Sequence, residues 1–344
     1  MRVLNVMLGP GAGGLEAVAF QYARVLAEAG TDSAMVVNRR SPYGVAPDVR
    51  VFRTPGASLA NPFNHLVVAR AVREFRPDVV IGHGSRGADF CKSPFVRRAA
   101  QRGTRFIGVL HGENAKHFRG LDHVIAVSEK LREETIARSG FTPDRISVCP
   151  NAVKIPETSD LMSRAPNTIP VIGFLGRFDP CKGLDILIEA CAVLKSRGVA
   201  FRLDVGGDGP QRAAMRALAA RHGLVDSVRW LGWVSDKRSF FGEIDVLVMP
   251  SREEAVGLVM LEAMAHGRAV VLSDCPGPAA VAGDCGVVFA NGDAGGLADS
   301  IERLLSDRER MRALAAAGRN LVEVRYSEER LLRDLMASLE ELRS

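Results

Sequence analysis

The sequence predicts an α/β protein built from two parallel-sheet domains of similar size. Short apolar runs alternate with longer amphipathic runs along the chain, which is typical of a parallel sheet with helices on both faces. The alternation stops once, at residues 155–170, where proline, serine and asparagine accumulate and indicate a linker. The length of 344 residues also exceeds what one typical core holds. We therefore expect two Rossmann-like domains, at residues 1–160 and 165–327, that face each other across a cleft.

The elements of the first half follow from the spacing of their apolar residues. Residues 15–29 carry apolar side chains at helical spacing and end at Gly30, a typical helix stop. The other predicted elements are strands at residues 3–8, 33–37, 79–81, 105–110 and 124–127, and a helix at 129–139.

The same pattern begins again at residue 171. Buried-looking apolar runs are followed by loops rich in glycine and then by amphipathic segments, as in the first half. The predicted strands are at residues 171–175, 201–205, 228–231, 246–249, 269–272 and 286–289, and the helices at 184–195, 211–222, 295–305, 308–324 and 328–342.

Composition excludes several classes of protein. Hydrophobic residues make up 47% and charged residues 25%, a globular mixture. No apolar run approaches the ~18 residues of a membrane span, and the first residues lack the apolar centre of a signal peptide. The six cysteines show neither a CxxC pair nor a zinc spacing, so we expect reduced thiols in a cytoplasmic protein.

Charge is distributed unevenly. Residues 1–165 contain 23 Lys and Arg against 15 Asp and Glu, a balance of +8, whereas residues 166–344 contain 22 against 25, a balance of −3. A basic first half indicates an anionic partner, such as a phosphate-bearing acceptor or a membrane surface, unless the charges are merely scattered over the surface. Six cations lie around the His111 loop in the sequence and, if they also cluster in space, would flank the cleft from the acceptor side: Arg97, Arg98, Arg102, Arg105, Lys116 and Arg119.

The first glycine loop permits two interpretations. Gly9, Gly11 and Gly14 match the dinucleotide fingerprint GxGxxG after a strand, and the segment 38–41, Asn-Arg-Arg-Ser, resembles a pocket for a 2′-phosphate. That combination favours an NADP-dependent oxidoreductase. However, the same glycines suit any loop whose backbone approaches a phosphate closely, so the fingerprint alone does not decide.

Two loops of the second half also suit a phosphate ligand. Arg177 and Lys182 lie on the loop 176–183, directly after a strand, where they could clamp a diphosphate. The loop 206–210, Gly-Gly-Asp-Gly-Pro, would leave backbone accessible to a nucleotide or form a plain turn.

Two acids flank the start of a helix in the segment 254–262. Glu254 follows a buried-looking strand, Glu262 lies eight positions later, and Gly257 stands where the helix should begin. The first N–H groups of a helix lack internal partners and bind anions such as phosphate. Carboxylates beside such a site would accept hydrogen bonds from hydroxyls, as a sugar nucleotide requires, although solvated helix-entry acids would give the same spacing.

Together these segments resemble the retaining glycosyltransferases of the GT-B fold, family 4. The resemblance covers nearly the whole chain. It includes the Glu254 to Glu262 unit, the Gly-Arg…Lys-Gly loop at 176–183, Gly-Asp-Gly-Pro at 207–210 and Cys-Pro-Asn-Ala-Val at 149–153. The GT-B architecture is then expected, with an acceptor-binding first domain, a donor-binding second domain and a C-terminal helix at 328–344 that packs back on the first.

The resemblance also implies roles for individual residues. Arg177 and Lys182 would hold the donor diphosphate, Glu254 the donor sugar, Glu262 the ribose, and His111 would lie near the reacting sugar. The further donor-binding positions are Gly13, Gly14, Gly207, Asp208, Gly232, Val234, Gly257, Leu258 and Val259. Three segments depart from the family pattern, at 255–257, 279–280 and 151–153. These departures leave the reaction class intact but weaken any inference about the donor.

The implied reaction is transfer of a sugar from a UDP- or GDP-linked donor to a hydroxyl of a glycan or lipid-linked acceptor. No Asp-x-Asp metal motif is present, so the enzyme is expected to need no metal or other cofactor. We expect a role in polysaccharide or lipopolysaccharide synthesis, peripheral contact with an anionic membrane at its inner face, and no nucleic-acid partner. The alternatives are the oxidoreductase above and a non-catalytic nucleotide-sugar-binding protein.

Overall fold

A computed structural model describes residues 1–11, 13–112, 114–157 and 168–342. Most of the segment predicted as a linker, residues 158–167, lies outside the described residues. The chain divides into two compact units. The first contains Met1–Ala152 and the C-terminal residues from Glu328 onward, and the second contains Val153–Ser327.

The first unit is a seven-stranded parallel sheet in the order β3-β2-β1-β4-β5-β6-β7. The strands inside the sheet are nearly continuous buried runs because helices cover its faces. Its strands are β1 (Arg2–Met7), β2 (Asp32–Asn38), β3 (Arg50–Thr54), β4 (Val79–His83), β5 (Arg105–Leu110), β6 (His123–Ala126) and β7 (Ile146–Val148). Its first helices are α1 (Gly14–Glu28), α2 (Pro62–Phe75), α3 (Gly84–Lys92), α4 (Pro94–Ala99) and α5 (Glu129–Ser139).

The second unit is a six-stranded parallel sheet in the order β10-β9-β8-β11-β12-β13. Its strands are β8 (Val171–Leu175), β9 (Arg202–Gly206), β10 (Val228–Gly232), β11 (Val246–Met249), β12 (Ala269–Ser273) and β13 (Val287–Phe289). Its helices are α6 (Leu184–Ser196), α7 (Arg212–Arg221), α8 (Lys237–Glu243), α9 (Leu258–Ala265), α10 (Pro276–Ala282), α11 (Ala294–Ser306) and α12 (Arg308–Arg325). A last helix, α13 (Glu328–Glu341), belongs to the first unit and contacts α1.

Strand order fixes where a ligand can bind in each unit. In the first sheet the order reverses between β1 and β4, and in the second between β8 and β11. Loops that leave neighbouring strands in opposite directions open a crevice at the carboxyl ends of those strands. The loops after β1, β4, β8 and β11 are therefore the candidate ligand-binding segments.

The sequence predictions missed seven elements of the described chain, six of which are short. The missed elements are β3, β7, α2, α3, α4, α8 and α10. The strands β3 and β7 lie at the two edges of the first sheet, where partial exposure breaks the apolar run. Four of the five missed helices have only six to nine residues, too few for a helical period to show.

The six cysteines are free thiols. Among the helices that the structure describes, none combines the length and the apolar composition that a membrane crossing requires.

Candidate functional site

Three loops, those after β8, β9 and β11, meet beside the switch point of the second sheet because glycine lets their backbones touch. Gly183 ends the loop after β8 with φ +66°, and a Cβ atom there would lie 1.9 Å from the carbonyl oxygen of Pro250, directly after β11. Gly207 has φ +120°, and a Cβ atom there would lie 1.8 Å from the carbonyl oxygen of Gly176. Side chains at either position would force these loops apart.

This contact brings two predicted site residues together. The Nζ of Lys182 donates to Oε2 of Glu254, although 72 positions separate them in sequence. Their side chains are only 26% and 20% exposed. The pair therefore places one cation and one acid at the carboxyl ends of β8 and β11, where the sequence analysis expected the diphosphate and the donor sugar.

Arg177 lies on the same loop but is held less firmly. Its side chain is 69% exposed, and its Nη2 donates to Oδ2 of Asp179 at 2.8 Å. An exposed arginine paired only two residues away can turn toward a ligand at small cost, since such surface pairs contribute little stability.

Glu262 is the most constrained acid of the site. It lies on the second turn of α9, where Nζ of Lys237 donates to its Oε1 at 2.5 Å. Its Oε2 is buried and has no hydrogen-bond partner among the described residues. Burial raises the pKa of this carboxyl, and the nearby Lys237 opposes that rise. An acceptor oxygen left buried and unpaired costs stability, which indicates a ligand contact at this atom.

The start of α9 is open for an anion. Gly257 precedes the helix with φ +84° and offers no side-chain cap. Leu258 and Val259 are half-buried. Because they lie in the first turn of the helix, their N–H groups have no partner within it. The helix dipole adds to the attraction for a phosphate at this end.

Two further loops lie beside each other at the carboxyl ends of β9 and β10. The N–H of Gly207 donates to the carbonyl oxygen of Gly232 at 2.6 Å, and a Cβ atom on Gly206 would lie 2.7 Å from Cγ2 of Val234. Oδ2 of Asp208 accepts a hydrogen bond from Nη1 of Arg212 at 3.1 Å, and this pair lies at the protein surface. Trp233, between Gly232 and Val234, is 67% exposed and was not singled out in the sequence.

The glycine loop after β1 is occupied by the chain's own carboxylate. The Glu16 side chain folds over it, so that a Cβ atom on Gly9 would lie 2.2 Å from Oε1 and one on Gly13 would lie 3.0 Å from Oε2. Gly13 and Gly14 are exposed at the start of α1, and Tyr43 donates to the Gly13 carbonyl at 3.1 Å. A carboxylate at this helix start repels any phosphate there, whether of a dinucleotide or of a nucleotide sugar, so the loop in this arrangement does not distinguish the two interpretations.

His111 follows β5 and is half-buried beside two buried polar residues of the first unit, His83 and Asn5. Its Nε2 is buried without a partner in the described chain, and burial lowers the pKa of the imidazole to about 4. The ring lies 6.4 Å, centroid to centroid, from that of His83, whose Nε2 is 2.9 Å from Oδ1 of Asn5. His111 is therefore neutral at physiological pH and suited to hydrogen bonding with a neutral hydroxyl.

The basic residues near His111 in sequence do not all surround it in space. Arg105 opens β5 and His111 follows the end of that strand, so the strand separates them. Arg97 lies over the Phe106 ring at 4.2 Å and donates to the Gly120 carbonyl at 3.0 Å. Arg97 and Arg105 therefore lie toward the amino ends of the strands, away from His111, and do not cluster with it.

Two residues of the site were missed in the sequence. Lys237, the partner of Glu262, comes from another helix, and no local pattern marks it. His83 ends β4, and its distance from His111 depends on the pairing of β4 with β5.

Family models match both halves of the chain. The model for glycosyl transferases group 1 matches residues 169–307, and that for glycosyltransferase family 4 matches residues 12–155. The chain belongs to the group 1, family 4 glycosyltransferases. This glycosyltransferase is 29% identical to the lipopolysaccharide core biosynthesis glycosyltransferase LpsE of Rhizobium meliloti (strain 1021), over 96% of each chain.

A further relative is matched over part of its length, and two solved structures are matched over nearly all of theirs. The glycosyltransferase is 30% identical to the D-inositol 3-phosphate glycosyltransferase of Salinispora tropica, over 63% of this chain and 52% of that one. Its fold is similar to that of sucrose-phosphate synthase from Thermosynechococcus elongatus, with TM-score 0.82, 21% identity and coverage of 99% and 98%. HepE of Anabaena, solved with UDP and glucose, gives TM-score 0.79, 19% identity and 99% coverage of both chains. These neighbours establish the GT-B fold.

Proposed function

We propose that this glycosyltransferase moves a sugar from a UDP- or GDP-linked donor to a hydroxyl of a glycan or lipid-linked acceptor, with retention of the anomeric configuration. The observation that carries the proposal is the buried, unpartnered Oε2 of Glu262, on the same segment as Glu254 and the open start of α9. The similarity to a lipopolysaccharide core enzyme supports a role in lipopolysaccharide or cell-envelope polysaccharide synthesis. The protein solved as HepE with UDP-glucose supports a uridine donor.

The proposal assigns the diphosphate to cations and N–H groups of the second unit. Lys182 is already held at the switch point by Glu254, and Arg177 is free enough to turn inward. The N–H groups at the start of α9, from Gly257 to Val259, add donors along the helix dipole. These groups would stabilise the charge that develops on the departing diphosphate, as preorganised donors do in other transferases.

The two acids are assigned to hydroxyls of the donor. Oε2 of Glu262 would accept from a ribose hydroxyl, which would supply the partner that it lacks. Glu254 would accept from a hydroxyl of the transferred sugar once the diphosphate takes over the charge of Lys182. The backbone around Gly207 and Asp208, and around Gly232 and Val234, would then receive the base.

The reaction itself follows from the leaving group. The acceptor oxygen would bond to the anomeric carbon on the face from which the diphosphate departs, and an oxygen of that diphosphate would take the acceptor proton. Gly13 and Gly14 are assigned to the donor and the neutral His111 to a hydroxyl of the reacting sugar. The first unit is assigned to the acceptor, at the cytoplasmic face of a membrane.

A two-stage experiment tests this proposal. A thermal-shift screen of UDP-, GDP- and ADP-sugars should raise the melting temperature with one nucleotide class, because a ligand that binds only the folded state stabilises it. Donor turnover with a lipid-linked acceptor, analysed by NMR at the anomeric proton, should then show retention. Binding without turnover would favour a nucleotide-sugar-binding protein, and a fluorescence change with NADPH alone would favour the oxidoreductase.

A further inference from the structure

Three polar side chains at the switch point of the first sheet are incompletely hydrogen bonded. Eight buried side-chain nitrogen and oxygen atoms lack a hydrogen bond in the described chain, and three of them belong to this group: Nδ2 of Asn5, Nδ1 of His83 and Nε2 of His111. Asn5 and His83 are 0% and 1% exposed. A buried polar group without a partner costs stability, so a cluster of such groups indicates a bound water, a ligand or a functional role.

Strand pairing brings these residues together. Asn5 lies on β1, His83 ends β4, which pairs with β1, and His111 follows β5, which pairs with β4. Nε2 of His83 is 2.9 Å from Oδ1 of Asn5, although 78 positions separate the two residues. The Tyr22 ring packs against the His83 ring, with 5.2 Å between centroids and 87° between planes. An amide at one nitrogen and an aromatic ring therefore hold the His83 imidazole in place.

The contact with Asn5 fixes the tautomer of His83. A carbonyl oxygen only accepts, so Nε2 of His83 carries the hydrogen and donates it to Oδ1. Burial, and to a lesser extent the nearby His111, lowers the pKa of His83 well below its ordinary value, so the ring is neutral. In a neutral imidazole one nitrogen donates and the other accepts. Nδ1 of His83 is therefore a buried acceptor that needs a donor.

The distance between the two imidazoles suits a bridging water. The ring centroids of His83 and His111 are 6.4 Å apart, so no nitrogen of one ring reaches a nitrogen of the other directly. One water spans such a gap, and buried waters commonly join polar groups that would otherwise stay unpaired. Hydrogen bonds in a chain polarise one another, which favours a chain that donates in one direction. The water would then accept from Nε2 of His111 and donate to Nδ1 of His83.

We propose that Asn5 and His83 are positioning residues that act on the transferred sugar through His111. Asn5 fixes the His83 ring, His83 orders the water, and the water holds His111 with its hydrogen on Nε2. Nδ1 of His111 is then an acceptor for a hydroxyl of the transferred sugar, and this part of the inference rests on the proposed function. The relay would favour donors with a hydroxyl at that position, because a desolvated acceptor left without a donor loses binding energy.

Nitrogen resonances of the imidazoles test the relay in the free protein. Two-bond nitrogen–proton correlation spectra of the enzyme with isotope-labelled histidine distinguish the two neutral tautomers. His83 and His111 should both carry the hydrogen on Nε2 at neutral pH. A His111 ring with its hydrogen on Nδ1 would overturn the proposal without any ligand or variant.

Substitutions in the relay separate positioning from packing. His83→Leu removes the acceptor nitrogen and should leave His111 as a mixture of tautomers. Asn5→Leu should do the same, because it frees the His83 ring to take either tautomer. His83→Gln keeps a donor for Asn5 and an acceptor for the water, so it should preserve the Nε2–H form of His111.

His123→Leu is the matched control. His123 lies on β6 of the same sheet, is 6% exposed, and has its Nε2 2.9 Å from Oγ of Ser147. The substitution removes a buried, hydrogen-bonded imidazole from outside the relay. It should therefore leave the His111 tautomer as in the wild type, even where it lowers the melting temperature.

Turnover with deoxygenated donors gives a second readout. With the nucleotide sugar that the thermal-shift screen selects, His83→Leu should lower kcat/KM about two- to tenfold, the loss of one hydrogen bond. The Kd for the free nucleoside diphosphate should stay unchanged. One monodeoxy form of the same sugar should react equally fast with the wild type and with His83→Leu, because it lacks the hydroxyl that Nδ1 of His111 would bind.

A general disturbance of the fold would instead slow every donor alike. Equal slowing of all the monodeoxy donors by His83→Leu would overturn the positioning role, as would an unchanged His111 tautomer in that variant. The expected tautomers without a response to any nucleotide sugar would leave the relay intact and refute the proposed function instead.

Discussion

Replacing Glu262 by glutamine should weaken nucleotide binding while stabilising the unliganded protein. The substitution keeps the shape of the side chain and removes its charge. Burial raises the pKa of this carboxyl despite the contact with Lys237, so the ionised form costs stability in the free protein. A neutral amide removes that cost, as is common where a site trades stability for function.

The expected loss of nucleotide affinity in Glu262→Gln follows from Oε2, the carboxylate oxygen that has no partner in the described chain. Lys237 occupies Oε1, so Oε2 alone is available for a ligand hydroxyl. A hydrogen bond to a charged acceptor contributes about 1.5–3 kcal/mol, which corresponds to about 10- to 150-fold in Kd. The amide oxygen of glutamine still accepts weakly, and Lys237 is 46% exposed and loses little when unpaired. We therefore expect the Kd for the nucleotide to rise about tenfold to a hundredfold.

Stability should depend on pH in a defined direction. A carboxyl whose pKa is raised by folding favours the native state below its unfolded value, and the benefit is lost as pH rises through the folded value. The melting temperatures of wild type and Glu262→Gln should therefore be closest near pH 4 and separate as pH approaches 7, with the variant the more stable. Calorimetry without ligand measures this difference, and isothermal titration with UDP and GDP measures affinity.

Glu309→Gln is the matched control, because this acid is exposed at the start of α12. It should change neither the affinity nor the pH dependence. Unchanged nucleotide affinity in Glu262→Gln, or a lower melting temperature at neutral pH, would refute the assignment of Oε2 to the ligand.

Four further predictions concern the remaining site residues. Arg177→Ala and Lys182→Ala should each reduce turnover by about 10²–10³-fold, the typical loss of one transition-state contact, and wild-type rates in both would remove the diphosphate assignment. Glu254→Gln should lower kcat more than nucleotide affinity if its proposed contact with the sugar strengthens as the glycosidic bond breaks; matching losses of affinity in this variant and Glu262→Gln would contradict that. Activity should survive exhaustive EDTA treatment, and a loss reversed by Mg²⁺ or Mn²⁺ would reveal a metal requirement. Burial lowers the pKa of His111 to about 4, so stability should fall as pH drops from about 6.5 toward 4, and His111→Gln should flatten that dependence in thermal melts.

Segments with a continuous apolar run or clear boundary residues could be predicted from the sequence. The strands β5, β8 and β11 have the predicted bounds because each is an apolar run. The helix α5 has them because Ser128 caps its start and Gly140 ends it. The bounds of α2 were missed although it has 14 residues, since the apolar residues on its outer face, Phe63 and Leu66, hide the amphipathic pattern.

The site was predictable where its residues lie on one loop, and not where folding joins distant ones. Spacing alone placed Glu254 before the start of a helix and Glu262 on it, and α9 confirms that local geometry. The contact of Glu254 with Lys182, and of Glu262 with Lys237, depends on strand order and on helix packing. No local pattern encodes either, so the sequence indicated the groups but not their pairing.

The ion pairs of the unliganded site determine which contacts a ligand must displace when it binds. In the free protein Lys182, Arg177 and Lys237 each face an acid, so a diphosphate or a ribose would enter by exchanging partners with charges that are already compensated. Such exchange gives a small net gain for each cation, because the lost ion pair offsets much of the new one. The uncompensated groups are the N–H donors at the start of α9 and Oε2 of Glu262. Affinity for the nucleotide should therefore depend mainly on these neutral donors and this one oxygen, whereas the paired cations act chiefly when the leaving diphosphate gains charge in the transition state.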